Sequence, residues 1–170
     1  PLAVYFAGFR PAEGFEGYWM MKNLGCPFLL FSDPRLQGGA FYLGSDELEN
    51  KVKQTIQYYL DYLGLTSKDL ILSGLSMGTF PSLYYGAAFE PRAVIVGKPL
   101  ANIGTIARRG RLEAPGVFNT SFDVLRHQTG GVSYQHMEDL DQTFWNDFKK
   151  ADFSNTTFGL SYMKDEDMDS

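Results

Sequence analysis

"DLILSGLSMGTF", residues 69–80, decides the fold. An apolar run climbs into Gly74-Leu75-Ser76-Met77-Gly78, which is G-x-S-x-G, and small and apolar residues follow as far as Phe89. Alone the pattern is a weak signal. Its weight comes from context, a buried strand before it and a helix after it. Residues 69–74 read as that strand and residues 77–89 as that helix. A serine on so sharp a turn takes unfavourable dihedrals, and strand and helix close in beside it. Glycines at 74 and 78 bring no side chains to collide there. The turn presents the Ser76 hydroxyl at the carboxyl end of the sheet and puts the Met77 N–H at a helix start, where it can stabilise an oxyanion. The alternative is a serine that only shapes a βα loop. Pro81 fits if the helix begins near Gly78, so that its missing N–H falls in the first turn.

Outward from this stretch, strands and helices alternate. Residues 2–9 and 27–33 are continuous apolar runs that read as buried strands, joined by a long loop with a helical turn near Tyr18 to Lys22. Residues 34–44 read as loop. Ser45 then caps a helix whose apolar positions are Leu48, Val52, Ile56, Tyr59, Leu60 and Leu63, ended by Gly64. Residues 93–97 form a fourth strand. An irregular stretch follows, and its basic cluster, Arg108, Arg109 and Arg111, reads as solvated loop rather than a binding patch. Residues 120–128 read as a short helix, Met137 to Phe148 as a longer one, and residues 156–163 as a fifth strand. The expectation is one three-layer α/β domain with a mainly parallel sheet over residues 1–170.

Composition narrows the class. With 170 residues, 44% of them hydrophobic, the chain supports one real core. A net charge of −5 argues against a nucleic-acid or anionic-membrane surface, and the longest apolar stretch, residues 26–31, falls far short of a membrane span. The missing initiator methionine reads as the mark of a piece of a longer protein. Cys26, the single cysteine, reads as a small buried hydrophobe in a reducing compartment. No metal or bound cofactor is expected.

Nucleophilic chemistry at Ser76 needs a second oxyanion donor, an acid and a base. The donor is expected from the loop after the first strand, as the N–H of Phe9, with Arg10 as the alternative. The acid is expected just past the fifth strand, at Asp165, Glu166 or Asp167, a stretch that also reads as an acidic chain terminus. The hydrolase order is serine, acid, histidine. Both histidines, His127 and His136, precede the acids and read as surface or cap residues. The base is therefore expected beyond Ser170.

Longer segments carry a closer resemblance. "VYFAGFRPAEGFEGYWMMKNLG" (4–25), "PFLLFSDPRLQGGAFYLG" (27–44), "LILSGLSMGTF" (70–80) with "LYYGA" (83–87), "IVGKPLANIGTIA" (95–107) and "DFSNTTFGLSYMKDED" (152–167) resemble the family of the second accessory secretory protein of the Gram-positive accessory Sec system. The resemblance implies an α/β-hydrolase-like domain truncated at its carboxyl end. It implies an export component that O-acetylates N-acetylglucosamine on serine-rich repeat glycoprotein adhesins, from an acetyl donor the residues do not identify. Ser76 takes the place of the nucleophile and Glu166 that of the acid, with Asp165 and Asp167 as alternates. The family's histidine falls outside this sequence, so the chain alone is expected to be inactive. The implied partners are other accessory secretory proteins, the accessory SecA ATPase and the adhesin, in a cytoplasmic setting peripheral to the membrane. A carboxylesterase and a non-catalytic scaffold of the export complex are the alternatives.

Overall fold

The structure is a computed structural model that describes residues 1–8, 14–36, 40–112 and 121–162. Five parallel strands form one sheet: β1 (Leu2–Phe6), β2 (Phe28–Phe31), β3 (Leu70–Leu75), β4 (Ala93–Gly97) and β5 (Thr157–Ser161), in the order β2-β1-β3-β4-β5. Parallel neighbours need crossovers, and the helices supply them. They are α1 (Tyr18–Lys22), α2 (Asp46–Tyr62), α3 (Thr79–Phe89), α4 (Ile103–Leu112), α5 (Ser121–Thr129) and α6 (Tyr134–Phe148).

The register sorts the two sheet faces. Val4, Leu72, Val94 and Phe158 lie side by side on one face, and Tyr5, Ser73, Ile95 and Gly159 on the other. The first face carries the main core. Phe6, Leu72 and Val94 pack there with Val52, Ile56 and Leu60 of α2, Phe80 and Tyr85 of α3, and Leu140 and Phe144 of α6. On the second face α1 drops Met21 onto Ala3 and Tyr5, with Phe28 and Leu30 alongside. Toward β3 and β4 that second face is open among the described residues, with Leu75 43% and Ile95 52% exposed.

Local chemistry sets the helix ends. The Ser45 hydroxyl accepts the Leu48 N–H at 3.2 Å, with Asp46, Glu47 and Glu49 in the first turn of α2 where the helix dipole favours negative charge. Ser133 and His136 form a reciprocal capping box that starts α6. One expectation changes: residues 103–112, read as irregular, form α4, and the arginine cluster falls on that helix. No helix of the described residues is long and apolar enough to cross a membrane.

Candidate active site

In the strand order 2-1-3-4-5, the connections leaving β1 and β3 go to opposite sides of the sheet. Open α/β sheets bind ligands at such a switch point, outside the carboxyl ends of the strands. β1 ends there in Phe6-Ala7-Gly8, and β3 ends in Leu75-Ser76.

Ser76 sits at the head of a 3-10 turn, Ser76–Gly78, that leads straight into α3. Its φ is +53°, the left-handed region that a residue with a Cβ enters only at a cost of about 1–3 kcal/mol. The surroundings impose that conformation. A Cβ on Gly74 would sit 2.0 Å from the Gly78 carbonyl oxygen and 2.8 Å from Ser82 Oγ. A Cβ on Gly78 would sit 2.0 Å from the Phe6 carbonyl oxygen. Both glycines are therefore demanded by close approach: Gly74 lets α3 close over the end of β3, and Gly78 lets the turn press against the end of β1. The side chain of Ser76 is half-buried at the resulting bend.

Two buried hydroxyls lock the bend. Ser82 Oγ donates to the Gly78 carbonyl at 2.8 Å. Thr79 Oγ1 donates to the Ser76 carbonyl at 2.6 Å and accepts the Leu100 N–H at 2.9 Å, tying the turn to the loop after β4. Both residues are fully buried. Pro81 is the third residue of α3, so its missing N–H falls in the first turn. Met77 is buried behind Ser76, and its backbone N–H belongs to the first turn, where no intrahelical acceptor exists. A hydroxyl on a strained bend beside such an N–H can attack a carbonyl and have the resulting oxyanion stabilised.

The end of β1 is held as firmly. The Ala7 N–H donates to the Phe31 carbonyl at 3.0 Å, and the Ala7 carbonyl accepts the Tyr42 hydroxyl at 2.8 Å. Tyr42 is itself placed by Asp33, at the end of β2. That carboxylate accepts the N–H groups of Ala40 and Tyr42 and the Arg35 guanidinium, whose Nη2 lies 2.8 Å away. Burial pushes the Asp33 pKa up, but the Arg35 guanidinium and the Tyr42 N–H outweigh it and hold the carboxyl below the usual carboxylate range. No sequence signal had marked Asp33 or Tyr42. A carboxylate after a strand followed by Pro-Arg is an ordinary loop pattern, and its five hydrogen bonds come from the fold.

Neither histidine joins Ser76 by a hydrogen bond. His127 is exposed on α5, and the Nδ1 of His136 is engaged by Ser133 in the cap of its own helix. Phe9 and Arg10, and Asp165, Glu166 and Asp167, lie outside the described residues. Cys26 is half-buried at the margin of the small cluster under α1, beside Phe28. A cavity of about 290 Å³ lined by Lys53, Tyr84, Glu90 and Asp147 lies by the end of α3, the helix terminus away from Ser76.

Comparison with known proteins finds relatives along nearly the whole chain. A chain of the Glycosylation Associate Protein (Gap123) complex from Streptococcus agalactiae superposes with a TM-score of 0.92 and 54% identity, over 96% of this chain and 32% of that one. The Capsule O-acetyltransferase of Neisseria meningitidis serogroup A shares the fold, with a TM-score of 0.70 at 20% identity over 99% of this chain and 70% of that one. An accessory Sec system protein of Streptococcus gordonii is 59% identical over 169 residues, which make up 99% of this chain and 33% of that protein. The chain thus spans about a third of the length of such relatives. The profile of the accessory Sec system GspB-transporter family matches residues 1–170 throughout, and the chain belongs to that family.

Proposed function

We propose that the protein to which this chain belongs is a serine acyltransferase. It O-acetylates N-acetylglucosamine on serine-rich repeat glycoprotein adhesins, in a complex with other accessory secretory proteins and the accessory SecA ATPase. The observation that carries the reading is the bend at Ser76, with its positive φ and two glycines that tolerate no side chain. Such strain is kept where a hydroxyl must be presented.

In the proposed reaction a histidine from outside this sequence takes the Ser76 proton, and Oγ attacks the carbonyl carbon of an acetyl donor. The Met77 N–H and the N–H of Phe9 hold the oxyanion. The donor's leaving group departs with the proton from the imidazolium, which leaves an acetyl-serine. A sugar hydroxyl then attacks that ester, giving its proton to the histidine, and Ser76 is released. Glu166 orients the imidazole, with Asp165 and Asp167 as alternates. Water in place of the sugar would make the same site an esterase. Membership of an assembly draws on a different observation, the 54% identity to a chain of the Gap123 complex.

Ser76→Ala in the full-length protein tests the reading. It removes the nucleophile and little volume, so adhesin glycans should lose their acetyl groups, read by mass spectrometry, while the protein keeps its melting temperature. Unchanged acetylation would remove Ser76 from the chemistry and leave the scaffold reading.

A further inference from the structure

The Gly8 N–H, at the tip of β1, donates to Glu16 Oε2 at 2.9 Å. Glu16 stands just before α1 and reaches back across eight residues to do so. Tyr5, 6% exposed on the second sheet face, brings its phenol to the same carboxylate. Burial, then the Glu16 charge, pushes that phenol up to about 12, so it stays a proton donor. Gly17, the next residue, lies so close to the Tyr5 ring that a Cβ there would meet it at 2.9 Å. Gly8 in turn abuts the nucleophile turn: its Cβ would fall 2.8 Å from the carbonyl oxygen of Leu75, the residue before Ser76.

From this chain of contacts we infer that Glu16 is a positioning residue for acyl transfer, fixing the tip of β1 against the Ser76 turn by accepting the Gly8 N–H. The inference rests on the acyl-transfer reading above. What it adds is a carboxylate outside any triad whose task is to hold the backbone facing the oxyanion. It acts through length and hydrogen-bond acceptance rather than charge. An oxyanion donor works only if it is held in place before the reaction, and loss of one donor outright costs about 10²–10³ in rate. Slackening the strand tip should cost less, about tenfold.

The test is the rate of labelling of the full-length protein by a fluorophosphonate, which forms a tetrahedral adduct on an activated serine. Two variants separate length from charge. Glu16→Gln keeps the reach and the acceptor oxygen but drops the charge, and Glu16→Asp keeps the charge but falls a methylene short. The expected result is that Glu16→Gln retains at least about a third of the maximal labelling rate. Glu16→Asp should lose about tenfold in that rate, with half-saturation by the probe unchanged. A Glu16→Asp protein as fast as wild type, or a Glu16→Gln protein slower than Glu16→Asp, overturns the inference while Ser76-dependent labelling leaves the acyl-transfer reading standing. A wild-type protein labelled no faster than Ser76→Ala overturns both.

Discussion

Thr79 shows how much of the site is carried by single atoms. Its hydroxyl is fully buried, gives its proton to the Ser76 carbonyl and takes one from the Leu100 N–H. Thr79→Val keeps the shape but leaves the buried Leu100 N–H without its acceptor and the Ser76 carbonyl with only the backbone N–H of residue 79. Stranding a buried polar group costs about 1–3 kcal/mol, more than a typical hydrogen bond contributes. The variant should lose that much in urea denaturation of the folded protein, and its Ser76 should label more slowly. Asp33 is the electrostatic counterpart. Its pKa is lower folded than unfolded, so its contribution to stability is complete above the unfolded value, about 3.9, and fades as pH falls through the folded value. Asp33→Asn should therefore destabilise the protein by about 1–3 kcal/mol at neutral pH. The gap to wild type should close below about pH 4 as wild-type Asp33 takes up its proton. Melting temperatures across pH 2–7 check it: a gap that widens in acid would give the interaction the wrong sign. Thr79 follows directly on a legible motif, Gly74 to Gly78, while Asp33 does not. The motif fixes spacing along one chain segment, whereas Asp33 gathers residues 35, 40 and 42 only once the loop has folded.

At the scale of elements, all five strands were legible: the inner ones read as short apolar runs, as a parallel strand buried on a core does, and β5 by Phe158 and Leu160 alternating with small and polar residues. Among the described residues their expected ends run past the strands: Ala7 and Gly8 lie beyond Leu2–Phe6, and Thr156 and Tyr162 flank Thr157–Ser161. An apolar residue past the last ladder bond looks the same in sequence as one inside it. The helix α4 escaped for a different reason. Gly104 and Gly110 lower its helix propensity, although Ile103, Ile106 and Ala107 stand at helical spacing. Gly104 is there for packing. A Cβ on it would sit 1.9 Å from the Met137 carbonyl oxygen, where α4 crosses α6. The same crossing puts the Asp141 carboxylate 2.7 Å from the Gly104 N–H and 2.7 Å from the Thr105 hydroxyl, so α6 caps α4. In a free helix Gly104→Ala would gain about 1 kcal/mol. Here the backbone contact cannot give way without parting the two helices, and overpacking costs about 1–3 kcal/mol. The clash should win, and Gly104→Ala should lower the melting temperature; a rise would mean that the helices separate freely.

The whole molecule raises the question of what this third of the protein can do by itself. Everything that presents Ser76 lies inside it: the switch point, the strained turn, the glycines at 74 and 78 and the two buried hydroxyls. Among the described residues no hydrogen bond links Ser76 to His127 or His136, and the Nδ1 of His136 is occupied in its helix cap. The proposed acyl transfer takes its histidine from past residue 170. Serine hydroxyl is a weak nucleophile without a base, and a triad lacking one member keeps only the residual catalysis of oxyanion hole and binding, many orders of magnitude below the complete set. Residues 1–170 expressed alone should fold, since the main core packs α2, α3 and α6 against one face of the sheet, yet label with fluorophosphonate at a rate indistinguishable from their own Ser76→Ala variant. A chain extended through the next histidine of the natural sequence should label at Ser76, and replacing that histidine with alanine should abolish the gain. Rapid Ser76-dependent labelling of residues 1–170 would mean that the base lies within them. His127 would then be the residue to replace first, because it is exposed and its ring is not committed to a helix cap.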